Sequence, residues 1–327
     1  MIQTNLDKTP IACVFSDLHF HNYSQYNEKG RRLDASLHIL EHLASQPGVK
    51  LFCGDFFHED QYISNRLFQY ITTNLNTRLP DDFQMFGISG NHDMCEINTA
   101  DHQSPSLFAS ISNVIKGINC IDYSHINIGH GVMVFGIPYL SYNIGLQEHL
   151  QGIRNNVFYK KAEKRILLIH TDLHGARDTD GRKIASVENI NLNMNEFFDG
   201  FDLVFSGHIH KPQRINKKII MVGAPNQQRK SDMGGKFGYW KVYSDMSYKF
   251  VPLKSPEFKF YLPSKDDING YDYWVPLNEV EDDEQLATQE KKFYSTVNRE
   301  KLAKRYCKAK GIKDKKKVEA LKWMLND

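Results

Sequence analysis

Gly207-His208-Ile209-His210 decides how this chain is read. The motif stands directly after the apolar run Leu203-Val204-Phe205, and four earlier stretches repeat that arrangement. Ser16-Asp17-Leu18-His19 follows Ile11-Ala12-Cys13-Val14-Phe15, and Gly54-Asp55-Phe56-Phe57-His58 follows Lys50-Leu51-Phe52-Cys53. Gly90-Asn91-His92-Asp93 follows Phe83-Gln84-Met85-Phe86-Gly87-Ile88, and His170 closes Ile166-Leu167-Leu168-Ile169. Taken singly, each residue has a plain explanation: His170 as a core histidine, Asp17 as a helix cap. In ordered succession they supply Asp, Asn and His in the mix expected of two divalent transition metals sharing a bridging carboxylate.

The apolar runs themselves, with Val132-Met133-Val134-Phe135 and Ile219-Ile220-Met221-Val222, have the length and continuity of strands buried on both faces. Helical spacing fills gaps between them: Leu33, Leu37, Leu40 and Leu43, then Leu67, Tyr70, Ile71 and Leu75. Strand, helix, strand is the grammar of an α/β fold. Ligands of open α/β sheets gather outside the carboxyl ends of strands, so one edge collects all of the polar clusters. After Pro225, the runs Trp240-Lys241-Val242-Tyr243 and Tyr248-Lys249-Phe250-Val251-Pro252-Leu253 flank Ser244-Asp245-Met246-Ser247 and predict a hairpin.

The chain therefore divides into residues 1–255, a main domain; 256–284, a short acidic capping or linker segment; and 285–327, a basic helical tail. Pro252, Pro256 and Pro263 mark the exit from the main domain. Asp266 to Glu284 carries eight acidic residues and no Lys or Arg, whereas Gln285 to Asp327 carries 13 Lys or Arg against five Asp or Glu. Two short helices are predicted in the tail. Phe293 with Val297 and Leu302 with Tyr306 are spaced four apart, Gly311 ends the first, and Asp314 caps a second that carries Val318, Leu321 and Leu325. The apolar faces, including Trp323, suit docking on a partner; the clustered positive charge alternatively suits DNA phosphates.

The net charge of +2 over 327 residues does not single out a partner. No apolar run reaches the roughly 18 residues of a membrane span, and Met1 to Lys8 lacks a signal-peptide layout. The five cysteines are odd in number and without C-x-x-C spacing; Cys13 and Cys53, inside strand-like runs, are expected to be buried free thiols, which predicts a reducing compartment, hence a cytoplasmic location.

Asp17 and His19 alternate across one residue, so on extended backbone both point the same way. Gly54 lets backbone and metal come close to Asp55. Asn91 offers a neutral carbonyl oxygen that adds no charge to a site built for phosphate. Mixed O/N donors of this kind suit manganese or iron better than calcium, and lack the thiolates of structural zinc. His19-Phe20-His21 also matches the H-x-H that opens amidohydrolase barrels, but that leaves Gly90-Asn91-His92-Asp93 and Gly207-His208-Ile209-His210 unexplained.

The succession D-x-H, G-D-x-x-H, G-N-H-D, H and G-H-x-H resembles the calcineurin-like metallophosphoesterases from about Ile11 to Val222. Within them the chain resembles the SbcD-type recombination and repair nucleases, including their phage relatives. The resemblance implies a four-layer α-β-β-α sandwich with a short C-terminal helical appendage. It implies two metals, usually Mn2+, one on Asp17, His19, Asp55 and His210, the other on Asp55, Asn91, His170 and His208. It gives His92 contact with phosphate and help to the leaving group, with Asp93 orienting that imidazole. His58 is similar to a histidine that those nucleases need for strand cleavage, where cyclic-nucleotide phosphodiesterases tend to carry Asp. Val222-Gly223-Ala224-Pro225 and Gly238-Tyr239-Trp240 are similar to segments that follow G-H-x-H in that branch. The implied activity is exonuclease and endonuclease cleavage of DNA by water that two metals activate. The implied partners are DNA, an SbcC-type SMC ATPase docked on 285–327, and a second copy of the chain, in the cytoplasm of a cell or, for a viral protein, of its host. The alternatives are a small-molecule or phosphoprotein metallophosphoesterase and a non-catalytic scaffold of the same fold.

Overall fold

A computed structural model describes residues 9–21, 31–58, 63–94, 106–140, 143–178, 181–184, 194–261 and 273–276. Two six-stranded sheets are built from the strands the apolar runs predict. The first contains β1 (Ala12–Phe15), β2 (Val49–Phe52), β3 (Met85–Gly87) and β4 (Ile118–Cys120), all parallel. β11 (Gly238–Val242) joins β1 antiparallel, and β12 (Tyr248–Pro252) closes the predicted hairpin on it. The second sheet has β6 (Val132–Gly136), β7 (Lys164–His170), β8 (Leu203–Gly207) and β10 (Ile219–Met221) in parallel. The short strands β5 (His125–Asn127) and β9 (Gln213–Arg214) lie antiparallel at its two edges.

Side-chain alternation explains how the sheets stack. In β1, Ala12 and Val14 join the cluster between the sheets, while Cys13 and Phe15 face the other way. In β7, Ile166 and Leu168 face the first sheet, and Leu167 and Ile169 turn outward. The outward face of the first sheet is covered by α1 (Arg31–Ala44), α2 (Asn65–Arg78) and α3 (Leu107–Ser112). That of the second is covered by α4 (Asn143–Asn155), α5 (Val157–Lys161) and α6 (Met194–Phe197). The result is the expected α-β-β-α layering. Ser64 caps α2, its side chain accepting from Leu67 N–H at 3.2 Å, and Leu67, Ile71 and Leu75 form the buried stripe. Tyr70, counted with that stripe by spacing, lies on its exposed flank.

A polar link also ties the sheets: the Trp240 indole N–H of β11 donates to the Val222 carbonyl just past β10, at 3.0 Å. Cys13 and Cys53 are buried free thiols, as expected. Among the described residues no helix is long and apolar enough to cross a membrane.

Two compact units divide the chain: residues 1–259 with 267–274, and residues 260–266 with 275–327. The segment expected as a linker contains strands β13 (Phe258–Tyr261) and β14 (Tyr273–Pro276), paired as a two-stranded sheet. Phe258-Lys259-Phe260-Tyr261 and Tyr273-Trp274-Val275 are rich in β-favouring aromatic and branched residues, a signal outweighed in the sequence by the surrounding acidic charge. The helices expected in 285–327 lie outside the described residues.

Candidate metal centre

Asp17, Asp55, Asn91, His170, His208 and His210 all sit at or just past the carboxyl ends of β1, β2, β3, β7 and β8. The first sheet brings Asp17, His19, Asp55 and Asn91; the second brings His170, His208 and His210. Their ligand atoms cluster in overlapping groups: Asp17, His19 and His210; His19, Asp55 and His92; Asp55, His170 and His208.

The loop after β1 is not extended, in contrast to the alternation argument. Asp17 and His19 have φ of 55° and 46°. The cause is hydrogen bonding to the loop after β2: Asp17 N–H donates to Gly54 O at 2.9 Å, His19 N–H to Asp55 O at 3.1 Å, and Phe20 N–H to Phe56 O at 2.8 Å. Asp55 (61°) and His208 (81°) also hold positive φ. Non-glycine residues rarely do so, and strain of this kind concentrates at functional sites.

Asp55 is central. Its Oδ1 accepts the His92 backbone N–H at 2.9 Å, and its Oδ2 lies 3.3 Å from His170 Nε2 and 3.6 Å from His19 Nε2. Gly90 must be glycine, because a Cβ there would overlap the Asp55 carboxylate and backbone.

Asp93 is engaged with the backbone. Its buried carboxylate accepts backbone N–H groups from Asp55 (2.9 Å), Phe56 (3.0 Å), Phe57 (3.0 Å) and Gly90 (2.9 Å). The expectation for it rested on the usual carboxylate–histidine pairing with His92. The 3-10 turn Asn91–Asp93 swings the carboxylate under the loop that carries Asp55. Burial and the Asp55 charge raise Asp93 to about 7, against the opposing pull of those N–H donors.

Around Asn91 the second sheet contributes two imidazoles. Asn91 Oδ1 lies 3.1 Å from His170 Nε2 and 2.8 Å from His208 Nδ1. The remaining His170 nitrogen, Nδ1, is 2.6 Å from the Cys53 carbonyl, which fixes the tautomer as an Nδ1 donor. His208 Nε2 faces Asp172 at 3.6 Å. His210 is buried, with Nε2 3.2 Å from His19 Nε2 and Nδ1 3.2 Å from Asp232 Oδ2. Asp232 is anchored by the backbone N–H groups of Gln228 (2.8 Å) and Arg229 (3.0 Å). Neither Asp172 nor Asp232 announces itself in the sequence: each follows a strand signal by two or more residues, without a glycine or a histidine motif of its own. A carboxylate facing the outer nitrogen of a metal-binding histidine is, however, a general pattern that could have prompted a search for them.

His58 and His92 meet at the rim. Their rings stack at 5.2 Å and 12°, and His58 Nδ1 lies 3.2 Å from His19 Nδ1. His21, buried, packs a ring against His58 at 5.4 Å.

Charges are strongly coupled here. Burial alone would raise Asp17 and Asp55, yet the neighbouring histidines hold both below the ordinary carboxylate value. Burial disfavours charge on His170, and the Asp55 carboxylate overcomes it and lifts the imidazole to about 9. Burial lowers His19 and His208. His210 is raised because Asp232 outweighs its burial.

The donors fit divalent cations. Both oxygens of the buried Asp17 carboxylate lack a hydrogen-bond partner, a costly arrangement unless a cation compensates it. His19 and His210 aim Nε2 lone-pair positions at the same point, beside that carboxylate. Oxygen and imidazole donors with no thiolate match a divalent transition ion.

A parallel-rich double sheet with such a cluster at its carboxyl edge defines a metallophosphoesterase. The calcineurin-like phosphoesterase pattern matches residues 12–212, more than half of the chain, and the chain belongs to that family. Members of that family are metal-dependent phosphoesterases, and the cluster supplies the donor types that such chemistry needs. Among solved structures, a Staphylococcus aureus protein described as a 5′-nucleotidase, in complex with α-ketoglutarate, is 16% identical, with 75% of this chain and 53% of that one covered and a TM-score of 0.43. This chain thus spans about half the length of that protein. A Thermus thermophilus protein is 10% identical, with 75% and 99% covered and a TM-score of 0.42.

Proposed function

We propose that this phosphoesterase is a DNA nuclease of the SbcD type, hydrolysing phosphodiester bonds with two divalent cations, Mn2+ by preference. Asp17, His19, Asp55 and His210 would hold one cation; Asp55, Asn91, His170 and His208 would hold the other, with Asp55 shared. Bound there, the pair supplies Lewis acidity, lowering the pKa of water and neutralising phosphate oxygens.

The chain's own residues do the rest. Asp93 fixes the loop of Asp55 and the turn of Asn91 relative to each other. His92, half-buried on the rim, meets the phosphate and gives a proton to the leaving oxygen. His58 holds the His92 ring in plane by stacking on it. That stack, 5.2 Å at 12°, is the observation that carries the nuclease reading, since it joins the branch-distinguishing histidine to the residue nearest the leaving group. The basic tail 285–327 is read as the docking segment for an SMC-type ATPase, and the nuclease as a homodimer.

The test is purified protein with Mn2+ on labelled single- and double-stranded DNA, beside bis-p-nitrophenyl phosphate. Strand cleavage that His58→Ala abolishes, with two cations still counted by elemental analysis, is the expected result. Ester hydrolysis without DNA cleavage, even with an ATPase partner supplied, would sink the nuclease claim in favour of a small-molecule or phosphoprotein phosphoesterase.

A further inference from the structure

Burial sets the direction from which a substrate reaches the cluster. Asp17, His19, His21 and His210 are buried, so that end is closed by protein. His58, Asn91, His92, Tyr139, Asp172 and His208 are partly exposed and form the open rim. Two sides of the rim differ in chemistry. One carries the stacked imidazoles of His58 and His92; the other carries the phenol of Tyr139 beside His208.

Tyr139 lies past β6, and no step proposed above uses it. Its position is nonetheless well fixed. Its backbone N–H donates to the Ser89 carbonyl at 2.9 Å. Ser89 is in turn gripped by Asp122, which accepts from Ser89 N at 2.9 Å and from its Oγ at 2.6 Å. Ser89 immediately precedes the Gly90-Asn91-His92-Asp93 turn, so the Tyr139 backbone is fastened to the segment that bears Asn91. The Tyr139 ring lies 6.2 Å from the His208 ring at 31° and 6.3 Å from the His170 ring at 75°.

We propose that Tyr139 is the base-stacking residue of this site, receiving the nucleobase of the nucleotide joined to the scissile phosphate. The inference rests on the phosphodiesterase reading above and names what that site selects. In a nucleotide the base stands one sugar away from its phosphate. A phosphate against the histidines of the rim therefore carries its base to the neighbouring aromatic wall. Stacking on a neutral aromatic face is tolerant of sequence, because every base offers a π-face. It rewards a substrate with a nucleoside and gives nothing to a plain alkyl ester.

Two diesters with the same leaving group separate these cases: thymidine 5′-(p-nitrophenyl phosphate) and methyl p-nitrophenyl phosphate. With the full chain and Mn2+, Tyr139→Leu is expected to lower the ratio of kcat/KM for the thymidine ester over that for the methyl ester about tenfold, mostly through KM. A tenfold change corresponds to about 1.4 kcal/mol. Tyr139→Phe keeps the ring and is expected to hold the ratio within about twofold of the parent. Direct binding of thymidine 5′-monophosphate relative to inorganic phosphate, measured by titration calorimetry, provides a readout independent of turnover, and is expected to weaken in Tyr139→Leu alone. An unchanged ratio in Tyr139→Leu, or an equal loss in the Phe and Leu variants, overturns the base-stacking role while the phosphodiesterase reading stands. Parent protein that hydrolyses neither diester with any added divalent metal overturns both.

Discussion

The two ends of the cluster are built from different materials. At the closed end, His19, Asp17 and His210 are almost wholly buried, and His210 is backed by the buried Asp232 at 3.2 Å. At the open end, His208 is backed by Asp172, at 3.6 Å and with both side chains about one third exposed. Charges that water cannot screen interact more strongly, so the same carboxylate–imidazole device has more force at the closed end. On the ligand assignment proposed above, the comparison predicts a cation held more tightly at the closed end than at the open end.

Asp55→Asn breaks the comparison outright, because it weakens both ends at once. Elemental analysis should find both cations lost, and turnover should fall by roughly 10³-fold or more, as when a whole catalytic unit is disabled. Retention of either cation would show that Asp55 does not bridge. Asp93→Asn tests the scaffold under both ends. It replaces one of the two oxygens that accept four backbone donors with an NH2 group that cannot accept, and denaturant titration of the metal-free protein should register a loss of about 3 kcal/mol. Unchanged stability with lost activity would return Asp93 to the His92-orienting role that the sequence predicts.

A smaller effect separates the ends from each other. Asp232→Asn should weaken the tighter cation about 10- to 100-fold, the usual cost of losing a carboxylate behind a metal-binding histidine. Asp172→Asn should weaken the looser one by less, since its contact is longer and more exposed. Metal titrations that rank the two variants in the opposite order would invert the assignment of tight and loose sites. The smallest effect concerns pH. In metal-free protein His170 is lifted from 6.5 to about 9, so the stability it contributes is complete below pH 6.5 and is lost as pH rises toward about 9. Thermal melts of chelator-treated protein should show Tm falling across that window, by a slope that His170→Asn removes. A slope that His170→Asn leaves unchanged would mean that His170 does not titrate in that window.

The strands were legible because they are buried on both faces and so are written as unbroken apolar runs; Val132 to Phe135 and Ile166 to Ile169 needed no context. β4, β5 and β9 were not, since Ile118–Cys120, His125–Asn127 and Gln213–Arg214 are too short to carry a pattern. The site divides in the same way. Residues in G-D, G-N-H-D and G-H-x-H are visible because close packing demands glycine beside them: a Cβ on Gly54 would meet the His170 ring and the Gly90 backbone, and one on Gly90 the Asp55 carboxylate. Asp232, Asp172 and Tyr139 act from loops through single side chains, and a single Asp or Tyr in a loop looks like any other. The backbone contacts of Asp93 were hidden for a related reason: spacing places it beside His92, but only the three-dimensional path of the turn reveals that its oxygens reach four backbone donors.

The Trp240 indole bonded to the Val222 carbonyl joins one sheet to the other, and the candidate ligands are divided between the sheets, four on the first and three on the second. The cluster is thereby a gauge of alignment between two slabs. Any slip of one against the other would show at once as a changed gap between Asp55 and His170, now 3.3 Å. A substitution in the layer between the sheets, far from any phosphate, could thus be felt first as a mistuned metal pair, before it registers as a loss of fold.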